Sequence, residues 1–250
     1  MKKSLALVAG LAVLASPAFA SKARMTALNQ NATTGSFYIK DTRNMFANPA
    51  SVNVYKNFAI FDTGTTSASS EGGYFTEAGP FAFGLYLNSS DRDQSTIRTS
   101  AGAVGYAGGS NLGDVSFVAR TNELTAFFGS EMGGIKWGAR LMHASDKTAI
   151  ADALSVATVV PWVENKTNAL GAGFGVVAGP VFAAVNYMLN DKSEGGTTSK
   201  DTWKAKNVYT MRAGYNLGAW GTAAITYDSI GAEFVNYIST SESDTNTTKQ

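Results

Sequence analysis

The sequence contains no cysteine and only one histidine, His143. Without cysteine there is no disulfide framework and no thiolate chemistry. One histidine puts a multi-histidine metal site out of reach, and no cluster of Asp, Glu and His has ligand spacing, so neither a metal nor a cofactor is expected. Charge is also scarce: 16% of the 250 residues are charged and the net charge is +1. No basic run or stripe points to nucleic acid. Beyond residue 20, no stretch of about 18 residues is continuously apolar, which excludes a transmembrane helix from the mature chain.

What is present begins with an export signal. Lys2 and Lys3, the apolar run 5–14 and the Ala18-Phe19-Ala20 triplet have the three-part layout of a secretory signal peptide. Residues 1–20 are therefore read as the signal, with the mature chain starting at Ser21. An exported chain without a membrane helix is either soluble outside the inner membrane or spans a membrane as a barrel. The 26 glycines, 11% aromatic residues, low charge and mean hydropathy of -0.05 favour the barrel.

Residues 21–51 form an N-terminal segment in which Pro49 ends regular structure and Asn48 can cap the chain. After it, two-residue periodicity dominates. Phe81, Phe83, Leu85 and Leu87 alternate with Ala82, Gly84 and Tyr86. Leu170, Ala172, Phe174, Val176 and Ala178 alternate with glycines and Val177. With this apolar face outward, the opposite face carries Lys136, Gly138 and Arg140, then Thr210, Arg212 and Gly214, then Thr226 and Asp228. Such strands also suit a soluble sandwich, so the connections arbitrate. Short turns at 132–134, 179–180 and 217–219 alternate with long polar connections at 145–168 and 190–206, the pattern of periplasmic turns and extracellular loops. Trp220, Tyr187, Tyr227, Trp203 and Tyr209 are candidates for interfacial aromatic girdles. The expected fold is all-β, an antiparallel transmembrane β-barrel of roughly 8–10 strands over 52–250.

The stretch 23–52 contains Ala23-Arg24, Ala27-Leu28, Gly35-Ser36-Phe37, Asp41-Thr42-Arg43 and Asn48-Pro49-Ala50. It resembles the start of the porin-like major outer-membrane proteins of predatory Gram-negative bacteria and, more distantly, of the long-chain fatty-acid transporter superfamily. The first resemblance extends through the hairpin 124–141, with Phe127-Phe128-Gly129 and Lys136-Trp137-Gly138. The second covers only the piece from Asp41 to Asn48-Pro49-Ala50. In the transporter superfamily this segment plugs the lumen, so the resemblance implies a small luminal hatch here, with Asp41, Arg43 and Asn48 as its candidate residues. On the residues alone, Asp41 and Arg43 pair locally and Asn48 caps a turn. Both readings stay open at this point.

Two sets of residues suggest chemistry. His143 and Ser145 have the i, i+2 spacing that puts both on one strand face, the spacing used by outer-membrane lipid acyl hydrolases. The match stops at these two residues, with no evident group to orient the histidine, so no catalytic residue is assigned and the chain is read as a non-enzyme. Lys136, Arg140 and Arg212 would face Asp228 inside the barrel as pore-lining charges with a weak anion preference, or pair across a filled interior. Within the long connection, Ala149, Ile150, Ala153, Leu154 and Ala157 recur at helical spacing, followed by Val159 to Val163 around Pro161. That stretch either folds inward as a constriction with Asp152 at its tip, covers a neighbouring barrel in a homo-oligomer, or prolongs a strand above the membrane.

The expected function is a passive diffusion pore for small solutes, or a structural barrel protein, in the cell outer membrane. A hydrophobic-substrate channel of fatty-acid type is the alternative. The partners are outer-membrane lipid and the barrel assembly machinery. Strands are expected at roughly 52–62, 76–88, 97–106, 115–130, 134–145, 168–178, 181–190, 206–217 and 220–238. Nine is odd where bacterial barrels use even numbers, and 239–250 is a polar tail without a terminal aromatic. The chain is therefore expected to be incomplete at its C-terminus, with at least one closing strand absent.

Overall fold

A computed structural model describes residues 21–30, 35–36, 38–62, 70–89, 122–150, 163–195, 201–218 and 221–235. The expected signal at 1–20 lies outside the described residues. The N-terminal segment holds two short helices, α1 (Ser21–Ala27) and α2 (Asn44–Ala47), and a 3-10 turn at Pro49–Asn53. Among the described residues nine strands follow: β1 (Phe58–Asp62), β2 (Glu71–Ala78), β3 (Phe81–Leu87), β4 (Glu123–Met132), β5 (Ile135–Ile150), β6 (Val163–Ala178), β7 (Val181–Gly195), β8 (Asp201–Asn216) and β9 (Thr222–Val235). They form a single sheet in chain order, each strand antiparallel to the next. Among the described residues, β1 and β9 do not pair with each other.

The turns after β2, β4, β6 and β8 lie at one end of the sheet; at the other end the connections after β1, β3 and β5 are longer, as expected, whereas the one after β7, expected to be long, spans only 196–200. Gly79 and Gly179 take left-handed φ values of 59° and 56° ahead of a proline, as a type II′ hairpin requires at its first central position. Gly133 and Gly134 are both left-handed, at 60° and 77°, the type I′ pattern.

Several expected boundaries are corrected. The first strand begins at Phe58 and not at 52, because the Asn48 side chain accepts from the Ala50 N–H and starts a 3-10 turn. The expected strand 76–88 is a hairpin, with β2 before Gly79-Pro80 and β3 after it. The proposed third strand at 97–106 lies outside the described residues, and its place in the sheet is taken: β3 pairs directly with β4, from Phe81↔Ser130 to Leu87↔Leu124. The long connection expected at 145–168 is shorter, because β5 and β6 stay paired out to Ile150↔Val163. Ala149 and Ile150 are therefore strand residues, while Asp152 and 153–161 lie outside the described residues. β7 and β8 likewise pair out to Gly195↔Asp201. These extensions are polar on both faces, which reads as loop in a sequence, yet the backbone ladder does not depend on an apolar face.

The sheet's two faces differ. Phe81, Phe83, Leu85, Ile135, Leu141, Phe174, Val185, Met211 and Ile225 are exposed on one face. The other face meets the N-terminal segment. Phe46 packs edge-on against Tyr86 of β3 and Phe127 of β4, at ring separations of 5.2 and 5.4 Å, and its backbone oxygen accepts from Asn186 of β7 at 3.5 Å. Strands in a flat sheet lie about 4.8 Å apart, so β3 and β7 would be about 19 Å apart. One residue reaches both only because the sheet curls around it. Inside the curl, Met45, Phe46, Val52, Phe75, Ala82, Tyr86 and Phe127 form the apolar core.

The seat for the segment is a row of glycines. Gly129, Gly138 and Gly175 are direct cross-strand partners on β4, β5 and β6. A Cβ on Gly138 would overlap the Pro49 carbonyl, one on Gly175 the Asn48 side-chain oxygen, and one on Gly129 would lie 2.6 Å from Val52 Cγ1. The strands can thus accept the Asn48-Pro49-Ala50 turn against their backbone. Gly175→Val should unseat it at a cost of about 1–3 kcal/mol, read as a lower denaturation midpoint and faster protease cleavage within 21–57. Gly133→Asn, at an open turn, should leave the cleavage rate unchanged.

Candidate functional site

The segment is held to the inner face by three asparagine amides and one charged cluster. Asn48 donates to Val176 O of β6 at 3.4 Å. Asn53 donates to Trp137 O of β5 at 2.8 Å and to Ala50 O at 3.0 Å. Asn186 donates to Ala47 O at 3.3 Å. These bonds satisfy carbonyls that the glycine row brings close to the wall, and burial without them would cost about 1–3 kcal/mol per group.

The cluster centres on Glu71, which opens β2 and is buried. Its carboxylate is in contact with the Arg43 guanidinium, accepts from the Tyr86 hydroxyl at 2.9 Å and lies 2.7 Å from Lys22 Nζ. Arg43, only 1% exposed, also sits over two rings, 5.2 Å from the centre of Phe46 and 5.4 Å from that of Tyr86. Ring faces attract a cation, so they add to the carboxylate in holding this charge out of water. Asp41 is fully buried, accepts from the Arg43 backbone N–H at 3.0 Å and lies 3.3 Å from Arg24.

All three hatch candidates are therefore in the cluster or at the seat, but not as a local pair. Asp41 turns the chain and meets Arg24, whereas Arg43 reaches across to β2. Asn48 both caps its turn and bonds the wall. Glu71, Tyr86, Lys22, Asn53 and Asn186 were not singled out from the sequence. Glu71 was hidden because its strand was begun five residues too late; the Gly79-Pro80 pair, a repeat of Gly179-Pro180, was the signal that would have placed it.

The four pore-lining candidates share the inner face but do not form a ring. Lys136 lies at the short-turn rim, 3.8 Å from Glu131. Arg140 is covered by the segment, 5.9 Å from the Phe46 ring. Its row runs across the wall as Arg140, Gly173, Asn186, Thr210 and Asp228. Arg212 is one row nearer the short turns, beside Ala184 and Thr226, and is thus a diagonal neighbour of Asp228. Toward the long-loop end the inner face turns acidic, with Glu71, Glu123 and Asp191 buried. His143 and Ser145 share the outer face, opposite Leu124 and Asn168 respectively, while Asp146 is on the other face. No group of three or more metal-ligating side chains occurs among the described residues. The chain gives no significant match to any protein-family model, any curated protein or any solved structure.

Burial, and then the nearby Arg43, push the Lys22 ammonium down to about 8. Its attraction to Glu71 therefore does not repay its loss of water. Between pH 8 and 10.5 the unfolded chain holds more protons at this site than the folded one, so stability should rise with pH across that window. Accordingly Lys22→Met should be neutral or stabilising in chemical denaturation. Arg43→Met strands a buried carboxylate and should cost about 3–5 kcal/mol. Equal losses from both substitutions would contradict this division.

Proposed function

We propose that the chain is the wall of an outer-membrane β-barrel with segment 21–57 as a hatch inside it, closing a pore for small solutes. The observation that carries this reading is the polarity of the sheet's outer face. It exposes a continuous apolar band, while the inner side buries the charged Glu71, Arg140, Asp191 and Arg212 as well as the segment's Arg43 and the apolar core. A soluble sandwich has no use for a solvent-facing band of Phe, Leu, Ile and Val, whereas hydrocarbon does. The band runs from Ala178 to Leu170 on β6 and from Val181 to Leu189 on β7, close to the roughly 9–11 residues of a membrane strand. Aromatic rings mark both its limits. Phe81, Phe83, Phe128 and Trp137 cluster by the short turns, at centroid separations of 5.2–5.4 Å for the Phe128 contacts. Tyr187, Tyr209 and Tyr227 stand side by side where the outer face becomes polar, 6.4 and 6.0 Å apart. In this reading the outer edges of β1 and β9 are completed by further pairing, since open strand edges are not tolerated in lipid.

The hatch meets the wall through side chains and through the backbone of its Asn48-Pro49-Ala50 turn, but it is not part of the nine-strand ladder, so it can move without breaking a strand. In planar bilayers the parent chain should show low, intermittent conductance. Arg43→Met or Gly175→Val should give steady ohmic current. The second reading, a hydrophobic-substrate channel, is favoured by the apolar core of Met45, Phe46, Phe75 and Phe127 inside the curl. A barrel silent in all variants that carries fatty acid by mass spectrometry would select it. A silent barrel without bound lipid would leave a structural role. The membrane assignment itself is tested by Phe174→Arg on the outer band, which should cost about 2–4 kcal/mol of stability in bilayers. An unchanged midpoint would count against membrane burial of this face.

A further inference from the structure

One cross-strand row on the inner face runs Phe127, Arg140, Gly173 and Asn186, from β4 to β7. Gly173 puts no side chain between Arg140 and Asn186, whose backbones stand two strand spacings, or about 10 Å, apart. The space it leaves is bordered by both neighbours. A Cβ on Gly173 would overlap Asn186 Oδ1 and lie 3.4 Å from Arg140 Nε, and its three nearest atoms all belong to these two side chains. Asn186 donates to the Phe46 and Ala47 carbonyls, at 3.5 and 3.3 Å. Its Oδ1 is buried and accepts no hydrogen bond among the described residues. Arg140 faces the same hatch residue, with its guanidinium carbon 5.9 Å from the centre of the Phe46 ring. Phe46 is thus met on its ring by Arg140 and on its carbonyl by Asn186.

A carboxamide turned end for end at this place would set its oxygen against two carbonyl oxygens and its NH2 toward a guanidinium. The orientation observed does the opposite: both hatch carbonyls receive donors, and the acceptor looks across Gly173 toward positive charge. A buried acceptor without a donor is costly, and a neighbouring cation offsets part of that cost. We infer that Asn186 is the latch that holds the hatch by its backbone, and that Arg140 is a positioning residue that orients the latch across the glycine gap. The inference rests on the hatch reading above. This latch differs in kind from the contact between Arg43 and Glu71, in which a side chain of the segment reaches out to the wall. Here both side chains belong to the wall, and what they hold is main chain and one ring. Closure at this level is therefore set by the wall's own residues.

The test folds the full chain into phosphatidylcholine vesicles and follows amide hydrogen exchange within 44–53 by mass spectrometry at pH 8. Asn186→Asp keeps the shape of the side chain but exchanges its donors for a carboxylate drawn toward Arg140, so these amides should exchange about tenfold faster. Gly173→Ala should act in the same direction, because its Cβ displaces the Asn186 amide. Combined with Asn186→Asp it should add little, since both changes work through one amide. Arg140→Met should speed exchange in the parent but much less in an Asn186→Ala chain, and Arg140→Lys, which keeps the charge, should stay near the parent rate. Amides along the ladder from Ser145↔Asn168 to Ile150↔Val163 should keep the parent rate in every variant, which separates release of the latch from loss of the fold. Parent exchange rates in folded Asn186→Asp and Gly173→Ala would overturn the latch. Fully additive effects of Arg140→Met and Asn186→Ala would overturn the positioning role of Arg140. Conductance is read separately: faster exchange within 44–53 without any current would uphold the latch and overturn the pore reading.

Discussion

The close approach of the Asn48-Pro49-Ala50 turn to three strand backbones is the contact on which the rest of the arrangement depends. It needs Gly129, Gly138 and Gly175 in one cross-strand row, because a single Cβ there would occupy the place of the turn. With the turn seated, the preceding helix α2 is drawn against the wall, and Phe46 comes between Tyr86 and Phe127. Arg43, three residues earlier, is thereby delivered to Glu71. Glycine costs conformational entropy in a strand and offers nothing to pack. Here its cost is offset by the backbone contact that it permits.

The cluster at Glu71 shows how one carboxylate can be shared without equal benefit to its partners. Arg43 is planar and weakly hydrated, and it has two ring faces against it, so it loses little by leaving water. Lys22 is a compact, strongly hydrated ammonium that meets the same carboxylate from a helix closer to solvent, and it also feels the Arg43 charge. The arginine is thus the member that fixes position, and the lysine is the member that adjusts its protonation.

Much of this was legible in the sequence, and for identifiable reasons. Two-residue alternation located eight of the nine described strands, all but β2, and the Gly133-Gly134 and Gly179-Pro180 pairs located two of the turns, because both signals are local. The special character of Asn48 and of the segment around Asp41 and Arg43 was visible in a short motif. The partner of Arg43 was not, since Glu71 lies 28 residues away and only the sheet's curl brings the two together. The inner-face charges were found one by one through strand parity. Parity gives a face but not a level, so it could not choose between an open lumen and a filled interior for Arg140, which lies 5.9 Å from the Phe46 ring. The polar ends of β5 to β8 were read as loops because a strand rising above an apolar band has no hydrophobic face to announce it.

Those polar extensions also bear on how the segment and the wall divide the work. Along β5 and β6 the ladder continues for six pairs beyond Ala144↔Ala169, from Ser145↔Asn168 to Ile150↔Val163. The N-terminal segment meets the wall nearer the short turns, at Gly138, Gly175 and Asn186, and toward the long-loop end at Glu71. Between these levels Met142, Ala144 and Ala169 are buried on the inner face, and Thr167 and Ser193 bond each other at 2.6 Å. The wall is thus tied to itself by strand pairing at every level, and to the segment at two, the glycine row nearer the short turns and Glu71 toward the long-loop end. A displacement of the segment breaks bonds from Asn48, Asn53, Asn186 and Arg43 and leaves the ladder whole. Such a division allows a filled interior and a movable one to coexist in the same fold.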